Sequence, residues 1–173
     1  PTGPPVQDGL IRDWLVVGPF PVQDSSRDFA QEQIPGEADR SPAESETVQG
    51  LAWRRLELPK KPDYENWGTT EFDWVDLGEK LGYKPNQVAY AHTYLHAARA
   101  GKVALVLEHG HGLRLWLNGQ LAYDQPKHTM ALGSYVGISR QKQALVKYPS
   151  PRVEFDLTSG WNRLLVKIGS YHL

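Results

Sequence analysis

A row of aromatic and imidazole side chains recurs at alternate positions of one predicted strand. Tyr90, His92, Tyr94 and His96 are each separated by one small or apolar residue, so all four would share one face of the strand. Sugar rings stack on aromatic planes, while phenol and imidazole groups hydrogen-bond to hydroxyls. The row therefore predicts either a sugar platform or a face covered by another part of the chain.

A second candidate is a cleft at the edge of the loops. Segment 62–68 carries the proline, aspartate and glycine residues of a loop, together with aromatic side chains. Binding sites concentrate in loops that a rigid scaffold positions, so this cleft is our first choice for a ligand site. Its predicted members are polar and aromatic: Asp63, Tyr64, Asn66, Trp67, Trp74, Tyr123 and Asp124.

Several tryptophans belong to predicted strands. Arg114 and Trp116 alternate with leucines, so they would face away from the leucine side. An exposed Trp beside an Arg suits ligand stacking and hydrogen bonding, but packing of Trp116 is the favoured interpretation. We expect Trp14, Trp116 and Trp161 to anchor strands in the core.

Two histidines flank a glycine in a predicted loop. His109 and His111 could bind a transition metal or donate hydrogen bonds to hydroxyls, with His128 as a candidate third ligand. A protein zinc site uses about three or four ligands. A solvated loop is the simpler interpretation, and we expect no metal site here.

Motifs of catalysis are absent from the sequence. It contains no Gly-x-Ser-x-Gly, no phosphate-binding glycine loop and no His-Glu-x-x-His. A pair of carboxylates that meet in space can still support hydrolysis or lysis, and sequence does not reveal such a pair. We expect a protein that is not an enzyme, and a small hydrolase or lyase remains an alternative.

Charge and composition narrow the class of protein. The formal net charge is −1 and hydrophobic residues make up 40% of the chain, which argues against disorder and against a broad electrostatic surface for nucleic acid. No apolar run of membrane-spanning length occurs. The chain has no cysteine and begins with Pro1, so we expect a mature or excised piece of a longer protein, without disulfides.

Short strands joined by turns account for most of the sequence. Alternating or apolar runs occur at 10–17, 51–58, 88–98, 103–107, 113–117, 120–123, 153–157 and 161–168. Asn118-Gly119 between two such runs is a strong hairpin signal. Residues 23–50 are acidic and rich in Ser and Pro. We predict one antiparallel β-sandwich over residues 1–173, with a long irregular excursion at about 21–50.

Motifs in chain order resemble a known family. They are Trp-Leu-Val-Val-Gly-Pro-Phe at 14–20, Pro-Gly-Glu at 35–37, Val-Asp-Leu at 75–77, Tyr-Ala-His-Thr-Tyr at 90–94, Leu-Trp-Leu-Asn-Gly at 115–119 and Gly-Trp-Asn-Arg-Leu-Leu-Val-Lys at 160–167. Together they resemble galactose-binding-like jelly-roll modules that accompany catalytic domains in large secreted bacterial proteins, many of which process polysaccharide. Each motif marks a strand or turn, so the resemblance bears on the fold more than on function.

The resemblance implies an all-β jelly roll, a location outside the cytoplasm or at the cell surface, and a larger parent protein. Some related domains bind calcium through consecutive aspartates before the Leu-Trp-Leu strand. Here the matching stretch, 108–112, is Glu-His-Gly-His-Gly, and imidazole is a poor calcium ligand. We therefore expect no cofactor.

The function that we predict is noncatalytic binding of polysaccharide or oligosaccharide, which would target an attached catalytic domain to its substrate. The alternative is a structural module that packs against neighbouring domains and binds no ligand. Other domains of the parent protein are expected partners in both cases. Nucleic acid and a membrane span are not expected.

Overall fold

A computed structural model of the protein describes residues 11, 13–57, 75–76, 84, 86–109, 112–126, 134–136 and 152–170. Regular structure in these ranges is almost entirely β-strand. Helical structure within them consists of α1 (Ser25–Asp28) and a 3-10 turn at Glu37–Asp39. No helix in this part of the chain is long and apolar enough to cross a membrane.

The strands of the described ranges follow one another closely along the chain. They are β1 (Asp13–Pro21), β2 (Thr47–Val48), β3 (Leu51–Ala52), β4 (Arg54–Glu57), β5 (Val75–Asp76), β6 (Gln87–Ala97), β7 (Gly101–His109), β8 (Gly112–Leu117), β9 (Gln120–Gln125), β10 (Ser134–Val136), β11 (Arg152–Leu157) and β12 (Gly160–Ser170).

Two antiparallel sheets form the body of the protein. The larger has the order β4-β1-β6-β12-β8-β9, the smaller has the order β11-β7-β10-β5, and β2 pairs with β3 in a separate ribbon. Every pair of neighbouring strands is antiparallel. The predicted all-β antiparallel sandwich is confirmed, while the jelly-roll topology stays a prediction.

Strand alternation builds the core between the sheets. On β12, Leu164, Val166 and Ile168 are each at most 1% exposed, and they lie opposite the leucines of β8 in register. Full burial of one such side chain contributes about 1.5–3 kcal/mol. Trp14 lies in the same cluster, as predicted.

The predicted Asn118-Gly119 hairpin is confirmed. Both residues have positive φ, 51° and 85°, and they connect β8 to β9. A two-residue turn with this backbone matches the twist of the flanking strands. The turn therefore fixes which faces β8 and β9 present.

The first strand continues further than its sequence indicates. The predicted run at 10–17 stops before Gly18-Pro19, but β1 runs to Pro21. A register irregularity between Val17 and Phe20 accommodates the two residues. A Cβ at Gly18 would lie 2.9 Å from Ala89 Cβ, so glycine permits the close approach that keeps β1 on β6.

Residues 22–50 form an ordered cover, which we call the strap. It lies on the face of the six-stranded sheet opposite the inter-sheet core, which we call the outer face. The strap buries Phe29, Ile34 and Val48 in a second apolar cluster with Tyr90 and Trp116. Packing of these few apolar residues holds the strap on the sheet.

Candidate functional site

The strap covers one half of the predicted aromatic row. Tyr90 is 0% exposed and His92 is 1% exposed, whereas Tyr94 is half-buried and His96 is exposed. The covered-face interpretation therefore holds for Tyr90 and His92. The sugar platform stays a prediction for Tyr94 and His96, the open half of the row.

A buried ion pair holds the strap to the sheet. Lys167 Nζ lies 3.0 Å from Glu37 Oε2 and donates to the Gln31 carbonyl at 2.6 Å. Tyr90 donates its hydroxyl proton to the same Glu37 carboxylate. Burial lowers the pKa of Lys167, and Glu37 acts against that shift. Burial, with the Glu37 charge second, raises the pKa of Tyr90.

His92 is a neutral imidazole under the strap. Burial, with a smaller effect from the Arg163 charge, lowers the pKa of His92 from 6.5 to about 4. Its Nε2 has no hydrogen-bond partner among the described residues. Its ring contacts the Tyr94 ring edge-on, with centroids 4.8 Å apart. His92 is therefore a packing residue that supports the open half of the row.

Arg163 ties the end of the strap to β12. Its Nη1 donates to the Asp39 carbonyl at 2.8 Å and to Ser41 Oγ at 3.0 Å. Its Nη2 lies 3.2 Å from Asp39 Oδ1. Trp161 lies two residues before Arg163 on the same face of β12 and is 38% exposed, so the described part of the strap leaves it open to solvent.

An open aromatic cluster lies at this end of the sheet. It consists of Tyr94, His96 and Trp161, and we call it the Trp161 cluster. The Trp161 ring centroid is 4.9 Å from that of His96 and 6.3 Å from that of Tyr94, both in edge-on geometry. Backbone register explains the contact, since Trp161 and His96 are direct partners across β12 and β6.

Our prediction that Trp161 belongs to the core is wrong. Its side chain is 38% exposed. Trp161 shares the parity of Arg163 and Lys167, so it faces outward, and Leu164 and Val166 have the opposite parity and face the core. Trp116 has the outward parity too, but the strap covers it and it is 6% exposed. Packing is therefore confirmed for Trp116.

Arg114 and Asp124 bind each other. Arg114 Nε and Nη2 donate to the two carboxylate oxygens of Asp124, at 3.0 and 2.7 Å. Arg114 Nη1 also donates to the Ala30 carbonyl at 3.3 Å, and the guanidinium lies over the Phe29 and Trp116 rings. These contacts give Arg114 a structural role, and ligand binding by the pair stays a prediction.

The other members of the predicted cleft are dispersed or undescribed. Tyr123 is half-buried against the inter-sheet core, and burial raises its pKa. The backbone of His109 ends β7 beside Ser134. Tyr64, Trp67, Trp74 and His111 lie outside the described residues, as do Asp63, Asn66 and His128.

The Trp161 cluster offers a surface for noncovalent binding. An indole face flanked by a phenol and an imidazole provides an apolar surface for C–H groups, with hydrogen-bonding groups at its rim. In the part of the chain that the structure describes, no group of three or more His, Asp or Glu side chains could hold a metal ion. The described arrangement therefore suits recognition of a ligand with both apolar faces and hydroxyls.

Sequence reasoning missed two features of this region. The motif that contains Trp161 indicates a strand and led us to place Trp161 in the core. Counting alternate residues back from the core-facing Leu164 and Val166 would have placed its side chain outward. Lys167 interrupts an apolar run, which is a signal of a buried partner. Its partner Glu37 is 130 residues away, so local pattern could not identify it.

Comparisons with known proteins give structural matches alone. No protein-family model matches the chain, and no curated protein matches it. The β-glucuronidase of Faecalibacterium prausnitzii is similar with a TM-score of 0.44 and 14% identity, over 97% of this chain and 22% of that chain. The β-glucuronidase of Ruminococcus gnavus in complex with uronic deoxynojirimycin has a TM-score of 0.39 and 13% identity, over 96% and 23%. The chain thus spans less than a quarter of the length of these proteins.

Proposed function

We propose that this domain binds carbohydrate at the Trp161 cluster and catalyses no reaction. The observation that carries the proposal is the exposure of Trp161, an indole that lies with Tyr94 and His96 at the open end of a sheet face on which Tyr90, His92 and Trp116 are covered. Indole is costly to leave in water and stacks well on the C–H face of a sugar ring. His96 and Tyr94 hold it edge-on, so it is oriented before a ligand arrives.

In this proposal the domain is a jelly-roll accessory module of a larger secreted protein that processes polysaccharide. The sequence motifs that resemble such modules support this part of the proposal. A single stacking site gives modest affinity. Its benefit arises because the domain is linked to a catalytic domain in the same protein. A bound module raises the local concentration of a linked catalytic domain on a polymer.

Affinity electrophoresis against a polysaccharide panel tests the proposal. The panel contains β-glucan, xyloglucan, galactomannan, arabinoxylan and polygalacturonate. We expect at least one polymer to retard the wild-type domain and Trp161→Ala to remove the retardation. Leu121→Ala is the matched control, because Leu121 is 54% exposed on β9 and lies outside the cluster. Absence of retardation by every polymer, or equal retardation of Trp161→Ala, would overturn the proposal.

A structural role between domains is the second candidate. Leu121 favours it, since an exposed leucine on β9, at the edge of the six-stranded sheet, is suited to burial against a neighbouring domain. This role predicts no retardation by any polysaccharide. It also predicts that Leu121→Ser reduces self-association of the isolated domain.

A further inference from the structure

An exposed carboxylate pairs with Arg163, which lies two residues after Trp161 on β12. The Asp39 side chain is 84% exposed, and its Oδ1 lies 3.2 Å from Arg163 Nη2. Arg163 is itself held by the Asp39 carbonyl and Ser41 Oγ, at 2.8 and 3.0 Å. The exposed carboxylate therefore keeps lone pairs toward solvent while its position is set by the guanidinium.

Arg163 lies between this carboxylate and the indole on the outer face of the sheet. Trp161 and Arg163 lie on the same face of β12, two residues and about 7 Å apart. Tyr94 connects them, because it is the backbone partner of Arg163 and its ring contacts the Trp161 ring. On the other side of Arg163, Asp39 lies above Gly119, where an added Cβ would be 2.4 Å from Asp39 Oδ1.

The arrangement combines a stacking surface with a strong hydrogen-bond acceptor. A ring stacked on Trp161 occupies the open end of the face, and the next unit of an oligosaccharide extends toward Arg163 and Asp39. A carboxylate accepts hydrogen bonds from hydroxyls more strongly than a neutral acceptor does. The same negative charge repels a carboxylate or sulfate on the ligand.

We propose that Asp39, positioned by Arg163, accepts hydrogen bonds from hydroxyls of a neutral saccharide that stacks on Trp161. This inference rests on the proposed function and adds the class of ligand. The ligand is an uncharged polysaccharide of at least two sugar units at the site. Polyuronates and sulfated polymers are disfavoured by Asp39.

Binding constants of the variants Asp39→Asn, Asp39→Glu, Trp161→Ala and Asp156→Asn test the inference. The probes are β-glucan, xyloglucan, galactomannan, arabinoxylan and polygalacturonate. Asp39→Asn keeps the shape and one oxygen for Arg163 but removes the charge. We expect about a tenfold loss of affinity for the neutral polymer that binds wild type, the effect of losing a charge-assisted hydrogen bond. Asp39→Glu should recover part of that loss. Asp156→Asn is the matched control, because Asp156 is 73% exposed and pairs with Lys102 on the other sheet.

The outcomes separate this inference from the proposed function. If Trp161→Ala abolishes binding but Asp39→Asn binds like wild type, the role of Asp39 is overturned and the Trp161 site stands. Tighter binding of polygalacturonate than of every neutral polymer overturns the ligand class. If no polymer binds, or if Trp161→Ala binds normally, the proposed function fails and this inference fails with it. Thermal unfolding of each variant confirms that the compared proteins are folded.

Discussion

Lys167 Nζ lies 3.0 Å from Glu37 Oε2, and neither side chain is more than 9% exposed. The two residues join β12 to the strap, although they lie 130 positions apart in the sequence. Tyr90, the Gln31 carbonyl and the Gln33 backbone N–H are further partners of the pair. Burial of two charges is favourable only with such partners, so the pair fixes where the strap lies.

Removal of one partner should be more damaging than removal of both. Lys167→Met leaves the Glu37 carboxylate buried without its cation, and we expect a loss of about 3–5 kcal/mol in the free energy of unfolding. The double variant Glu37→Gln with Lys167→Met should lose less than the single variant. Urea denaturation of the wild type, both single variants and the double variant measures the coupling. Additive losses would show that the pair does not act as a unit.

Acid should destabilise the fold through His92. In the unfolded chain an imidazole gains its proton as the pH falls through about 6.5, but the folded protein holds the pKa of His92 at about 4. The unfolded state binds more protons between these values, so the free energy of unfolding falls as the pH decreases from 6.5 to 4.

A pH series of urea denaturation checks this effect with His92→Phe, which keeps a ring against Tyr94 and cannot titrate. The wild type should lose up to about 3 kcal/mol more than the variant between pH 7 and pH 4, since one pKa unit is worth about 1.4 kcal/mol. Parallel curves for the two proteins would rule out His92 as the titrating group.

Arg114 should matter for stability and not for binding. Arg114→Met removes two bonds to Asp124 and one to the Ala30 carbonyl, so we expect a loss of about 1–3 kcal/mol. The dissociation constant for a polysaccharide bound at the Trp161 cluster should stay within about twofold of wild type. A large loss of affinity with unchanged stability would instead make Arg114 a ligand-binding residue.

Alanine variants at two glycines distinguish the effect of backbone strain from the effect of a side-chain clash. Gly119 and Gly50 both have positive φ, 85° and 79°, but a Cβ at Gly119 meets the Asp39 carboxylate and one at Gly50 meets nothing within 4 Å. Alanine at either position should lower the free energy of unfolding by about 1–2 kcal/mol. Gly119→Ala should in addition weaken polysaccharide binding, because it displaces Asp39. Equal affinities of the two variants would show that Asp39 can move without consequence.

Alternation of apolar and polar residues along the chain was sufficient to predict much of the sandwich. The hairpin at Asn118-Gly119, strand β6 and the inward leucines of β8 follow from local pattern, because turn chemistry and strand parity are local properties. The C-terminal end of β1 could not be predicted from local pattern. The strand continues past Gly18 because glycine permits a close approach to Ala89, which is distant in sequence.

The location of the candidate site depends on which part of the outer face the strap covers. Tyr90, His92, Tyr94 and His96 have the same parity, and sequence could not state where the strap ends. That boundary arises from long-range contacts of Arg163 and Lys167 with the strap. Trp161 has the outward parity too, which alternation along β12 could have shown, but its exposure depends on where the strap ends.

Titration calorimetry with matched tryptophan variants tests the location of binding most directly. The titrant is the neutral polysaccharide that gives the strongest retardation of the wild-type domain. We predict that Trp161→Ala loses measurable binding, while Trp67→Ala, a change in the segment 62–68 that the sequence predicts to be a loop, retains the wild-type dissociation constant. Loss of binding in Trp67→Ala with full binding in Trp161→Ala would contradict the Trp161 site and place the ligand in the loops.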